Sequence, residues 1–193
     1  MANRKEQFRV IVNKLAELKN TSELMIDLAY SSLLLNSRHL AEEVLALEER
    51  MDVLHTEFEL LVLSSGFTPE ESKHFLGLIR LGVATEQIAD AGAEIAEVVL
   101  RGLKPHRILK LVIEEAEETV ARVQVSPNSP LVGKTLRQAQ IHEETGMWIL
   151  AIKRDNIWIR PNPGTVIKPS DILIASGYAE GEEDLNKLAS QEE

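Results

Sequence analysis

The clearest pattern in the chain lies between residues 38 and 64. Leu40, Val44, Leu47, Met51, Leu54, Phe58 and Leu61 recur at alternating spacings of four and three. This is a single apolar stripe, and it predicts a helix buried along one side of a bundle. Ser64-Ser65-Gly66 ends that helix, with Gly66 suited to a left-handed cap. Thr68-Pro69-Glu70-Glu71 starts the next as a capping box: Thr68 is the N-cap, and Pro69 takes the first helical position. The new helix carries Leu81, Ala84, Ile88, Ala91, Ile95 and Val98 on one side and runs to Arg101-Gly102. Upstream, residues 5–35 read as helical with a break near Asn20-Thr21. Pro105 opens a shorter helix over 105–118. Short connections between long amphipathic helices predict an antiparallel bundle.

Beyond residue 118 the period falls to two. Val120 to Val125 alternates and stops before Pro127, as a strand does. Thr135 to Glu144 reads as helical and is closed by Gly146. Met147 to Ile152 is a buried strand, Arg154-Asp155-Asn156 a turn, and Ile157-Trp158-Ile159 the returning arm of a hairpin. Pro161-Asn162-Pro163-Gly164 is a loop. Asp171 to Ala175 is a further strand, and 180–189 an acidic helix with Leu185 and Leu188 facing inward. The fold class is α+β in two domains: a helical bundle over 1–118 and a small α+β domain over 119–193.

Composition supports the division. Residues 1–120 hold 13 basic and 21 acidic side chains, whereas 121–179 hold 7 and 4. The net charge of −10 therefore averages an acidic half and a mildly basic one. It leaves no basic footprint for bulk nucleic acid. The chain has no Cys, which excludes disulfides, thiolate metal sites and cysteine nucleophiles. No apolar run approaches the roughly 20 residues that span a bilayer, and the N-terminus leads into no signal-type stretch. A cytoplasmic protein is expected. No catalytic triad, phosphate loop or Gly-x-Gly-x-x-Gly occurs, so an enzyme is not expected.

The second half carries a specific resemblance. Ser129-Pro130-Leu131-Val132-Gly133-Lys134-Thr135-Leu136 comes first. Gly146-Met147 then opens a strand ending Ala151-Ile152-Lys153-Arg154. Pro163, Thr165, Ile167, Pro169, Asp171, Leu173, Ile174 and Gly177 follow in order. This series resembles the TrkA-C domain, the regulatory lobe found beside potassium channels and transporters. The helical half, with Glu-Leu-Met-Ile-Asp-Leu-Ala-Tyr at 23–30, resembles one half of a PhoU-type bundle. The resemblance implies a non-enzymatic regulator of potassium or other cation transport. It would be a homodimer that senses a small ligand and acts on a membrane channel or transporter. It leaves open a metal-binding accessory regulator of phosphate uptake, and a structural homodimer without ligand. Met51, Phe58 and their stripe are candidates for burial against a second copy.

Two sets of residues carry candidate chemistry. Glu23–Asp27, Glu48–Asp52 and Glu86–Asp90 are acidic pairs one helical turn apart, each on one helix face. The residues alone fit a solvated acidic surface or a set of oxygen ligands for Mg, Mn, Ca or Fe. The PhoU resemblance implies a metal cluster, divalent or ferric. His55 and Glu59 extend the second pair; His39, His74 and His106 have no evident partner in sequence. Some TrkA-C domains bind cyclic di-adenosine monophosphate at a dimer interface. Such relatives are expected to carry an Arg four residues before the strand-opening Gly and an Asn two after it. Here those positions hold His142 and Trp148. His142 lacks the guanidinium fork. Trp148 suits either a stacked base or core packing. Arg137, Lys153 and Arg154 are candidate phosphate contacts or ordinary surface charges.

Overall fold

A computed structural model of the chain describes residues 2–66, 68–102 and 118–190. Of the helix expected over 105–118, residues 105–117 lie outside them, and Glu118 opens a strand instead. The chain divides into two compact units, 1–102 and 103–193.

The first unit is three helices: α1 (Ala2–Leu34), α2 (Arg38–Leu63) and α3 (Ser72–Leu100). α1 runs unbroken through Asn20-Thr21, contrary to the expected break. Thr21 and Ser22 are buried there, and the Ser22 hydroxyl donates to Lys19 O within the helix at 2.9 Å. Tertiary burial on this face overrides the weak helix propensity of Asn and Thr. A tight turn follows, with Asn36 in the left-handed region at φ +45°. Ser37 then caps α2, its hydroxyl accepting from Leu40 N. α2 places its stripe as the spacing predicts: Leu40, Val44, Met51, Leu54 and Phe58 are buried, while Leu47 and Leu61 are half-buried. Met51 and Phe58 are filled in within their own bundle, so they are not free for a second copy.

The start and the face of α3 depart from expectation. Regular helix begins at Ser72, after a turn over 69–71. Only the return half of the capping box forms: Thr68 N–H donates to the Glu71 carboxylate at 3.0 Å, which also pairs with Arg4 of α1. The buried face is Phe75, Gly82, Thr85, Ala89, Gly92 and Ala96. The predicted stripe is turned outward; Leu81, Ile88 and Val98 are 51%, 49% and 47% exposed. Large residues on α2 explain the choice. A Cβ on Gly82 would lie 2.7 Å from the Phe58 ring, so only glycine lets the helices close over that ring.

The second unit is a four-stranded antiparallel sheet in the order β1-β4-β2-β3. The strands are β1 (Glu118–Gln124), β2 (Met147–Arg154), β3 (Ile157–Ile159) and β4 (Ile172–Tyr178). Three helices accompany them: α4 (Leu136–Ala139), α5 (Ile141–Thr145) and α6 (Gly181–Ser190). The expected helix over 135–144 is thus two short ones, broken where Gln140 adopts φ +47°. Asp155 and Asn156 both take positive φ, the two-residue hairpin geometry that Asn and Asp favour. β2 shifts register against β4 between Ile149 and Ala151. Val123, Leu131, Met147, Ile152, Ile167, Leu173 and Leu185 form the core. Together these elements make an α+β chain: helical first, then a small sheet with helices.

Candidate ligand cavity and acidic face

A cavity of about 410 Å³ opens in the second unit, between α4–α5, the start of β2 and the loop at 161–163. Each wall has a local cause. Thr135 and Gln138 form a complete capping box that fixes the first turn of α4. The backbone N–H groups of Leu136 and Arg137 donate to Thr165 O and Pro163 O, tying the loop to that helix. Asn162 Oδ1 accepts from Gly164 N at 2.9 Å, which sets the bend. Gly146, at φ +70°, turns the chain into β2. Side chains alternate from there, so Met147 points to the core and Trp148 outward, 62% exposed.

The floor is aromatic. His142 stacks on Trp148 with ring centroids 3.7 Å apart and planes 21° from parallel. Its Nδ1 is buried and has no hydrogen-bond partner. Arg137 and Glu143 bring one charge of each sign to the lining. A slot of this size falls within the range of small-molecule sites. Its stacked rings suit a flat heterocycle, and Arg137 suits a phosphate or carboxylate.

Three of the four candidate ligand residues, Arg137, His142 and Trp148, line this one cavity. Arg154 does not, and it is withdrawn from the set. Its Nε and one terminal nitrogen bond the Asp171 carboxylate at 2.8 and 2.7 Å, and that nitrogen also donates to Val166 O. Asp171 is fully buried, and its bonds hold the guanidinium firmly charged. Asp171 also accepts from Lys168 N at 2.8 Å, so the pair anchors the turn before β4. Lys153 is likewise buried, with Nζ 5.4 Å over the Trp158 ring. Sequence reasoning missed Pro161, Asn162 and Pro163 as lining. Their loop signal was visible, but not the helix that it folds onto.

The acidic pairs divide differently. Glu48 and Asp52 on α2 share a field with Glu86 and Asp90 on α3. Burial pushes the Glu48 carboxyl up, and Asp52 and Asp90 add to the rise. Burial also pushes Glu86 up, reinforced by Asp90 and opposed by His55. His55 Nε2 lies 3.6 Å from Glu59 Oε1. On α1, Glu23 forms an ion pair with Lys19 at 2.8 Å. Among the described residues no three His, Asp or Glu side chains are grouped closely enough to hold one ion.

These features define a two-domain chain, a helical bundle followed by a small sheet domain with an open cavity. The families are regulatory ones rather than enzymes. Residues 15–99 match the model of the PhoU domain, and residues 120–190 match that of the TrkA-C domain. The chain is a PhoU domain joined to a TrkA-C domain. It is 37% identical over 97 residues to potassium channel protein 1 of Methanocaldococcus jannaschii, covering 50% of this chain and 29% of that one. It is 21% identical over 114 residues to the ammonium/H(+) antiporter subunit AmhM of Alkalihalophilus pseudofirmus, covering 58% and 68%. The chain thus spans less than a third of the channel protein it matches. Among solved structures it is similar to the RCK_C domain dimer of S. agalactiae BusR in complex with c-di-AMP. Identity is 24%, over 36% of this chain and 92% of that one, with a TM-score of 0.34. Among the described residues no helix is long and apolar enough to cross a membrane.

Proposed function

We propose that this chain is a cytoplasmic regulator of potassium or related cation transport. It works as a homodimer, with a domain junction at 118/119, and acts on a membrane channel or transporter. Its TrkA-C domain takes a small anionic ligand, a cyclic dinucleotide, in the cavity between α4–α5 and the 161–163 loop. One observation carries this reading: the stacked His142–Trp148 pair and Arg137 converge on one cavity in the domain matched to TrkA-C. Stacking on an aromatic face is worth roughly 1–3 kcal/mol per base. Calorimetric titration with cyclic di-adenosine monophosphate tests it. Binding that weakens about tenfold or more in Trp148→Ala is the expected outcome. No heat at high micromolar ligand removes the dinucleotide. Co-purification with a membrane cation transporter from the same cells tests the partner. The net charge of −10 gives no reason to add nucleic acid.

A second reading is a hydrated divalent or ferric cation drawn to the acidic face of the PhoU domain, where no three described carboxylates close on one ion. It is favoured by the raised carboxyls of Glu48 and Glu86, whose repulsion from Asp52 and Asp90 a cation would relieve. Titration with Mn²⁺ of the wild type and of an Asp52→Asn/Asp90→Asn double variant decides it. Equal, weak affinity in both sinks the site.

A further inference from the structure

The turn between α5 and β2 carries both rings of the cavity floor. His142 stands three residues before Thr145 and Trp148 three after it, and their stack at 3.7 Å spans that turn. Thr145 is buried and ties the turn in both directions. Its hydroxyl donates to Ile141 O at 2.7 Å and accepts from Met147 N at 3.1 Å. Gly146 N–H donates to His142 O at 2.7 Å. The turn is also pressed against two glycines further along the chain. A Cβ on Gly181 would overlap Thr145 O and lie 3.1 Å from Met147 Cγ. A Cβ on Gly177 would overlap Gly146 O and lie 2.9 Å from Met147 Cα. Neither glycine has a positive φ, so close approach and not backbone freedom selects it. The atoms in the way are mostly backbone, which cannot swing aside as the end of a side chain can.

Gly181 is the first residue of α6, and the rest of that helix is fixed. Leu185 and Ala189 are buried in the core. Ser126 N–H donates to Ala189 O at 2.8 Å, and the Ser129 hydroxyl donates to Leu188 O at 2.7 Å. The residues of α6 are not part of the cavity lining. We propose that Gly181 is nevertheless a positioning residue for the cavity: through Thr145, the docked start of α6 holds His142 and Trp148 together as one stacked floor. A methyl at Gly181 must displace either α6 or the turn. Core packing and the bonds to Ser126 and Ser129 hold α6, so the turn yields, and the two rings on its flanks part. Docking of α6 is thus a condition for a formed cavity. The ligand arm of the test rests on the reading of this cavity as a nucleotide site; the arm that reads the rings does not.

Trp148 reports the stack by its emission, because an imidazole in van der Waals contact quenches an indole. Trp158→Phe leaves Trp148 as the single tryptophan of the full chain, and adding His142→Ala defines the unstacked brightness. In that background Gly181→Ala should raise the emission toward the unstacked value. It should also weaken cyclic di-adenosine monophosphate, titrated calorimetrically, by about tenfold, the scale of one lost stack. Leu188→Ala loosens α6 away from the turn. It should lower the melting temperature while leaving emission and affinity as they were. If Gly181→Ala fails to fold, Thr145 gives a second route. Thr145→Val, which lacks the hydroxyl, should brighten Trp148 and weaken binding, whereas Thr145→Ser, which keeps it, should match the parent. A folded Gly181→Ala chain with unchanged emission or unchanged affinity overturns the proposal, and so does an equal brightening in Leu188→Ala. No heat from the parent chain removes the dinucleotide instead, and the emission then decides the positioning role alone.

Discussion

Charge is handled in opposite ways in the two domains. In the TrkA-C domain, Arg154 and Asp171 are buried together, and the carboxylate is met by two guanidinium bonds and the Lys168 N–H. In the PhoU domain, Glu48 and Glu86 are half-buried among other acids, and both carboxyls are pushed up rather than down. A satisfied ion pair acts as a clamp on one turn. An uncompensated acidic face holds free energy that a cation or a proton can release. The difference separates residues that build the fold from residues left available for chemistry, although both sets are charged and partly withdrawn from water.

The comparison breaks most sharply at the clamp. Asp171→Ala strands the Arg154 guanidinium in a buried site, and the expected loss is about 3–5 kcal/mol. Denaturant unfolding of the full chain measures it; a loss below about 1 kcal/mol would show that the pair does not anchor the turn before β4. Next come two glycines of α3. Gly82→Ala drives a methyl into the Phe58 ring and should cost about 1–3 kcal/mol. Gly92→Ala meets neighbours only at 3.5 Å, so it should stabilise by roughly 0.5–1 kcal/mol through lower unfolded-state entropy. Thermal melts of the two variants should therefore move in opposite directions.

The smallest effect lies at the acidic face. A carboxyl raised in the folded state contributes stability below its ordinary value and loses it as pH rises through the raised one. Glu86→Gln should therefore be slightly more stable than wild type at pH 7, with the gap closing near pH 4. Unfolding midpoints at the two pH values read this directly. A variant less stable at pH 7 would mean that Glu86 is paired rather than repelled. Saturating Mn²⁺ should erase the gain if a cation occupies the face.

Much of this was legible residue by residue. The α2 stripe, the Gly66 and Gly146 turns, the Asp155-Asn156 hairpin and the inward Leu185 of α6 follow from periodicity and turn chemistry. Arg154 was not legible, because its partner sits 17 positions away and nothing in a sequence separates a clamped guanidinium from a free one. The cavity was half legible. Arg137, His142 and Trp148 were readable as candidates, but the 161–163 loop joins them only through backbone bonds from Leu136 and Arg137.

By itself, then, the sequence determined which residues share a face: the helices, the strand alternation, the α+β division and the candidate set around His142 and Trp148. Only the tertiary structure decided which face is buried. On α3 the apolar stripe lost its place in the core to Gly82, Ala89, Gly92 and Ala96, because Phe58 on α2 requires a neighbour without bulk. Periodicity is a property of one helix. Depth of burial belongs to a pair, and a tight interior is settled by the shape of the partner.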